Sequence, residues 1–399
     1  MSRRRTSVAP ATPLDDEDLL REILLRLSPK PWSLPRASLV CKLWHNILSD
    51  PQFLNRFRKH HRKPPLLGFF VGDHYATRRV IAPLLDLPDR IQFACFSVPC
   101  TFNTTGWNWK MADCRHSLAV LINRSRREIV VWDPLTSQHH RFNFPPGLNI
   151  GRFNWSWHAA VLCVDTQDGH VHGDCFSSSP FKVVLICGGY KQASAWLYES
   201  ASGVWGNVVS TTTIDTICSR RHSVLVGNTL YWLFSRGDVL AFDFERQRFD
   251  VIEKPADGRI TSYRSVQHLR TEDGGLGLAV LLDQRTIKLW ERKSDSVGVV
   301  GWVLLQKTIP LDGVFPRIPL EGMFPQRIHR KHIHFVGYDA DTNVIVLSTM
   351  IGNFTLQLDS MQIRHIMKRN DISYDTFYPY TNFYTAGRGV GWKWLDLKL

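Results

Sequence analysis

The chain has 399 residues, 44% of them hydrophobic and 21% charged, with a formal net charge of +13. At ~100–200 residues per domain this length predicts two or three domains, and the modest charged fraction with a heavy aromatic load excludes a disordered chain. The positive balance admits an acidic partner, nucleic acid, or a basic surface spread over a large protein.

Residues 1–13 are mostly Arg, Ser, Thr, Pro and Ala and read as a loose tail. A first helix is expected from about Asp15, because Asp15, Asp16, Glu17 and Asp18 crowd the turn where the helix dipole favours negative charge. Leu20, Ile23, Leu24 and Leu27 recur at helical spacing, and Ser28-Pro29 and Pro31 stop the run. Pro35 suits the first turn of a second helix carrying Leu39, Val40, Leu43, Trp44, Ile47 and Leu48. Asp50-Pro51 opens a third, with Phe53, Leu54 and Phe57. A unit of this size rarely supplies a sufficient core alone, so its apolar faces must meet something, in the same chain or in another.

The order Leu14, Leu19-Leu20, Ile23-Leu24, Leu27, then Leu39-Val40-Cys41-Lys42 with Trp44, then Asp50-Pro51 with Phe53, resembles an F-box over the motif's whole length. The wording, including Pro64–Phe70 (PPLLGFF), is similar to that of F-box proteins of grasses. One departure lies at the start: many F-boxes open with Leu-Pro, whereas here Pro13 precedes Leu14 and Asp15 follows it. The resemblance implies docking on a Skp-type adaptor, and through it on a cullin scaffold, by a subunit that performs no chemistry and selects a target for ubiquitin transfer. It carries over Leu14, Leu20, Ile23, Leu24, Leu27, Leu39, Val40, Trp44 and Phe53 as adaptor-binding positions, about half in direct contact and the rest internal core. The F-box is expected at 14–57 and a basic linker at 58–65, overlapping the run Arg56–Lys63 (RFRKHHRK).

From residue 66 to 399 helical spacing gives way to short Val-, Ile-, Leu-, Phe- and Trp-rich runs between Gly, Asp, Asn and Ser clusters, the pattern of an all-β domain. One unit recurs: an apolar strand, a turn, and a strand ending in an aromatic followed by an acidic or polar residue. Trp132, Trp196, Phe242 and Trp290 take equivalent places, and a fifth copy spans Asn343–Ile366. Repeats of ~40–50 residues with several strands each predict an irregular β-propeller of about six or seven blades. The fold class is therefore multidomain: a three-helix unit followed by an all-β domain. Trp132–Thr136 (WDPLT) resembles the F-box-associated β-domain of plant F-box proteins; read by itself it is a turn beginning at Asp133-Pro134, with Trp132 packed between sheets. Target-binding residues are unassigned. Candidate loops are 102–108, 153–158, 315–324 and 373–383, three of them rich in aromatics and Asn.

Rival classes find less support. No G-x-S-x-G, H-E-x-x-H or P-loop is present, and Gly274–Leu278 (GGLGL) reads as a turn, so the chain is expected to be non-catalytic and without cofactor. The pairs His139/His140, His170/His172 and His332/His334 lack a clear third ligand, and no metal is expected. No recognition helix, zinc finger or RNP motif supports nucleic acid as the partner. The eight cysteines form no C-x-x-C and no secretory h-region follows the N-terminus, which predicts a reducing compartment, cytoplasmic and/or nuclear, and mostly buried thiols. No apolar run reaches the ~20 residues of a membrane span.

Overall fold

Four short helices open the chain. In the computed structural model they are α1 (Glu17–Leu25), α2 (Ser33–Ser38), α3 (Lys42–Ser49) and α4 (Pro51–His61). The structure describes residues 16–72, 80–90, 109–148, 156–163, 180–256, 260, 262–294, 296, 298–311, 315, 333–368 and 376–383. The Asp16 carboxylate caps α1, accepting from the backbone N–H groups of Asp18 and Leu19 at 3.0 and 3.2 Å. Asp50 does the same for α4, accepting from Gln52 N–H at 3.0 Å, with Pro51 beginning the helix.

Two expectations need correction here. The second of the three expected helices is two helices, because Leu39 caps α2 and Cys41 turns extended (φ −163°) before α3 begins. The first half of the 58–65 linker is helix: α4 runs on to His61, with Arg58, Lys59, His60 and His61 in the last turn, where the dipole favours cations.

The β region unfolds as successive antiparallel meanders. Two strands come first, β1 (Leu66–Gly72) and β2 (Val80–Pro83). One four-stranded sheet holds β3 (Trp109–Arg115), β4 (Leu118–Asn123), β5 (Glu128–Trp132) and β6 (His139–Asn143). The next holds β7 (Ser156–Cys163), β8 (Phe181–Gly188), β9 (Gln192–Glu199) and β10 (Val204–Trp205), with β11 (Val209–Thr212) also on β9. Then come β12 (Val224–Val226), β13 (Thr229–Leu233), β14 (Val239–Asp243) and β15 (Arg248–Ile252). The following sheet is β16 (Val266–Arg270), β17 (Leu276–Leu282), β18 (Thr286–Ser294) and β19 (Val300–Pro310). Last are β20 (His334–Asp339), β21 (Val344–Ser348), β22 (Gly352–Gln357), β23 (Ile363–Lys368) and β24 (Thr376–Thr381). β24 turns back to pair with β1 antiparallel, Phe70 opposite Tyr378, and meets β20 in parallel at Gly337–Phe377.

Burial explains why these strands read as apolar runs rather than alternations. The second strands β4, β17 and β21 are buried on both faces, because each sheet is sandwiched between two neighbours. The outer strands β6 and β11 alternate in exposure as edges do. Separate apolar cores lie between each meander and the next, such as Val120, Ile122, Val131, Trp157, Val161 and Leu185 between the β3–β6 and β7–β11 sheets. The β1–β24 pair packs on one side against β3–β5 and on the other against β20–β21, so the ring closes. The first strands β3, β7, β12, β16, β20 and β24 lie innermost, with contacts running β3–β7, β12–β16–β20 and β20–β24–β3.

The recurring aromatic-acidic step is structural. Trp132, Trp196, Phe242 and Trp290 all stand on the third strand of a meander. After Trp132 the Asp133 carboxylate accepts from the N–H groups of Leu135 and Thr136, and after Phe242 Asp243 accepts from Glu245 and Arg246. These are side-chain-closed turns, as read for Asp133-Pro134.

Of the candidate loops, 102–108 lies outside the described residues. In 153–158, Trp157 and His158 are buried within β7. Within 373–383, residues Thr376–Thr381 are the closing strand β24, and Tyr378, Tyr380 and Phe383 are buried. Those aromatics are core because that segment seals the ring. From 315–324 only Phe315 is described, stacking edge-on against Phe354 at 5.0 Å. Cys114, Cys187 and Cys218 are free and buried, Cys41 is free and exposed, and Cys163 is disulfide-bonded, a departure from the expectation of reduced thiols.

Candidate functional site: exposed aliphatic side chains on the helical unit

The helical unit has a core of its own. Leu20, Leu24, Leu25, Leu34, Ile47, Leu48, Phe53 and Phe57 are buried together, and Phe383 from beyond β24 completes the cluster. Phe57 meets Phe383 edge-on with ring centroids 6.2 Å apart. The Trp32 N–H also donates to Asp89 at 3.3 Å, so the unit is partly seated on the β region. Around this core, Arg21 joins Glu17 at 2.8 Å and Asp50 at 3.2 Å, and Arg56 reaches Glu22 at 2.7 Å. The Gln52 N–H and the Arg21 guanidinium together hold the Asp50 carboxyl below its ordinary range.

What remains outside this core is unusual in kind. Leu19 (44% exposed) and Ile23 (39%) lie one turn apart on α1. Leu39 (56%), Val40 (62%) and Leu43 (38%) mark the α2–α3 junction, where the extended residue Cys41 interrupts the helix. Isolated exposed aliphatics are ordinary, but five on about 25 residues, beside a completed core, are surface awaiting cover.

The nine positions carried over by resemblance therefore separate. Ile23, Leu39 and Val40 are exposed; Leu27 and Trp44 are half-buried against the core; Leu20, Leu24 and Phe53 are buried inside it. Leu14 lies outside the described residues. Periodicity missed Leu19 and Leu43 as exposed members, since it gives one broad stripe and not the side that faces inward.

No group of three His, Cys, Asp or Glu among the described residues is placed to hold a metal ion. His140 instead shares a hydrogen bond with the Tyr198 hydroxyl at 2.9 Å, His334 begins β20, and the remaining paired histidines fall outside the described residues or on the β6 edge.

With four short helices ahead of a closed ring of meanders, the comparisons with known proteins agree. Residues 16–56 match the F-box domain. Residues 110–385 match the model described as F-box protein AT5G49610-like, beta-propeller. The chain belongs to this family of F-box proteins with a β-propeller domain. Its relatives include At1g47765 of Arabidopsis thaliana, 25% identical over 317 residues that make up 73% of this chain and 72% of that protein. F-box protein At5g07610 of the same plant is 24% identical over 307 residues, 71% of this chain and 68% of that one. F-box/kelch-repeat protein At3g61590, also from Arabidopsis thaliana, is 27% identical over 229 residues, 54% of this chain and 50% of its own. Likeness to solved structures is low: the WD40 domain of SCAP from fission yeast aligns at a TM-score of 0.34 and 10% identity, over 65% of this chain and 54% of that one.

Proposed function

We propose that this protein is the target-recognition subunit of an SCF-type ubiquitin ligase. Its F-box docks on a Skp-type adaptor and so on a cullin scaffold, and its propeller holds the target protein. The exposure of Leu19, Ile23, Leu39, Val40 and Leu43 beside a core that is already closed carries this reading. Those five, with Leu14 ahead of them and the half-buried Leu27 and Trp44 at the margin, are the contact set. Leu20, Leu24 and Phe53 shape the helices from within. The subunit itself is non-catalytic and works by proximity, raising the local concentration of target lysines near the activated ubiquitin. We read the β domain as six blades, the sixth formed by β1, β2 and β24 from both ends of the chain, and the protein as cytoplasmic and/or nuclear.

Co-expression of the full chain with a plant Skp-type adaptor tests the reading. Apolar anchors predict co-purification that survives 0.5 M salt. A well-folded full chain that never retains the adaptor would overturn the ligase assignment and leave the propeller as an independent binding module.

A further inference from the structure

The outer strand β19 differs from the other outer edges in its chemistry. Val300, Val303 and Leu304 are 51%, 49% and 42% exposed, and the stretch 300–306 (VGWVLLQ) carries no charged side chain. β19 pairs with β18, and among the described residues no other strand lies on its far side. Exposed edges carry unpaired N–H and C=O groups that accept another strand, and charged side chains or shortness are the usual protection. The other outer edges have one or the other. Arg141 stands at the centre of β6, Arg248 and Asp250 in β15, and Arg364 and Lys368 in β23, while β2, β10 and β11 have four residues or fewer. On β19 such protection begins only at its bulge, with Lys307 and then Pro310.

This edge also stands clear of its sheet. The pairing of β17 with β18 ends at Gly277, opposite Glu291, whereas β18 and β19 continue through Arg292–Trp302, Lys293–Gly301 and Ser294–Val300. The hairpin is therefore two strands wide at this end. The cations beside it are already engaged: Lys293 joins Glu291 at 2.7 Å, Arg292 lies over the Trp302 ring at 6.0 Å, and Lys307 donates to the Leu358 carbonyl at 2.6 Å. Trp302 is pinned in turn, its Nε1–H donating to the Glu253 carbonyl at 2.6 Å. The result is an apolar, uncharged edge on a chain whose net charge is +13.

We propose that Val300–Leu304 is a self-association edge, pairing antiparallel with the same strand of a second copy of this chain across a two-fold axis. In such a contact the same patch serves on both sides and must be self-complementary. A two-fold through Trp302 sets Val300 opposite Leu304 of the second copy, Gly301 opposite Val303, and Trp302 opposite its own counterpart. Every pair is apolar, and apolar cross-strand pairs stabilise a sheet. The space beside Gly301 is open, since a Cβ there would meet nothing within 4 Å, which leaves room for the valine opposite. The same operation on β6 or β15 would set Arg141 against Arg141 or Asp250 against Asp250, and like charges directly opposite are destabilising. A foreign strand with charged side chains would find no counter-charge along 300–306; another uncharged edge fits, and this chain supplies one. The regular stretch spans only ~17 Å, so the contact is small and the pair reversible. This association goes beyond the receptor role and does not depend on it.

Sedimentation velocity of the full chain, from low to high micromolar concentration, tests the proposal. A monomer–dimer equilibrium is expected. Val300→Lys with Val303→Lys gives this edge the charge that its counterparts carry, and should weaken the dimer at least tenfold without lowering the melting temperature, because both side chains are exposed. Val251→Lys, at a 47% exposed position on β15, should leave the dimer unchanged. The register has its own readout: a mixture of Val300→Cys chains and Leu304→Cys chains should form a disulfide-linked dimer under mild oxidation. Neither variant alone should exceed the wild-type background, which the exposed thiol of Cys41 sets. A chain that stays monomeric throughout overturns the proposal, as does a dimer that survives the paired lysines. A dimer lost instead on Leu39→Ala with Val40→Ala would place the contact on the helical unit and overturn it equally.

Discussion

Truncating Leu39 and Val40 together to alanine tests the docking face most directly. In the free protein these side chains are 56% and 62% exposed, so more than half of each is available for burial by a partner. At ~0.8 kcal/mol per buried CH₂, and with just over half of each side chain newly buried, the double truncation removes about 2 kcal/mol of docking energy. A tenfold change in affinity corresponds to ~1.4 kcal/mol, so adaptor binding should weaken by ~30-fold. Neither side chain belongs to the core of the helical unit, so thermal stability should move by less than ~0.5 kcal/mol. Leu24→Ala is the contrasting variant: Leu24 is fully buried, and its truncation should cost ~2–5 kcal/mol of folding stability in the helical unit. Titration calorimetry against purified adaptor, with melting curves of each variant, separates the two effects. Unchanged affinity in a normally folded Leu39→Ala/Val40→Ala protein would refute the assignment of this face.

Further outcomes follow from the same geometry. The exposed free thiol of Cys41 lies between Val40 and α3, so maleimide labelling at that residue, read by peptide mass spectrometry, should be rapid in the free chain and protected at least tenfold in the adaptor complex. Burial depresses His158 and His268 to about 3 and His222 to about 4, while it raises Asp339 to about 6. The unfolded chain therefore binds three more protons through the histidines and one fewer through Asp339, and stability should fall on acidification from pH 6.5 towards 4, by roughly 3 kcal/mol per pH unit between pH 6 and 4. His268→Gln should reduce that slope by roughly 1.4 kcal/mol per pH unit in denaturant titrations across the range. A Cβ at Gly337 would lie 2.5 Å from the Phe377 carbonyl oxygen, a backbone atom that cannot yield, so Gly337→Ala should destabilise the closing contact by ~1–3 kcal/mol and lower the melting temperature.

The helical unit was legible in the sequence because caps and prolines punctuate it. Asp16, Asp50 and Pro51 act as their residue types predict. The break at Leu39–Cys41 was not legible, since Leu, Val and Cys carry no stop signal and the helical spacing continues across them. Which aliphatic side chains face outward was also hidden: Ile23 and Leu24 are neighbours of like chemistry, and only packing against Phe53, Phe57 and Phe383 decides between them. In the β region the repeat was legible from Trp132, Trp196, Phe242 and Trp290, because a third strand between two sheets needs a large side chain there. The role of residues 376–383 was not, because a closing strand draws its meaning from β1, some 300 residues earlier, and a run of Tyr and Phe reads equally as binding loop or core.

The position of β24 sets the order in which this protein can mature. During synthesis the F-box and β1 emerge first, yet β1 lacks its neighbour and the F-box core lacks Phe383 until residues 376–383 have been made. A chain that stops short therefore carries an unpaired strand edge and an unsealed adaptor module at once. Under the receptor role proposed above, adaptor capture and target recognition would ripen together, and a nascent or truncated chain would compete poorly for the adaptor.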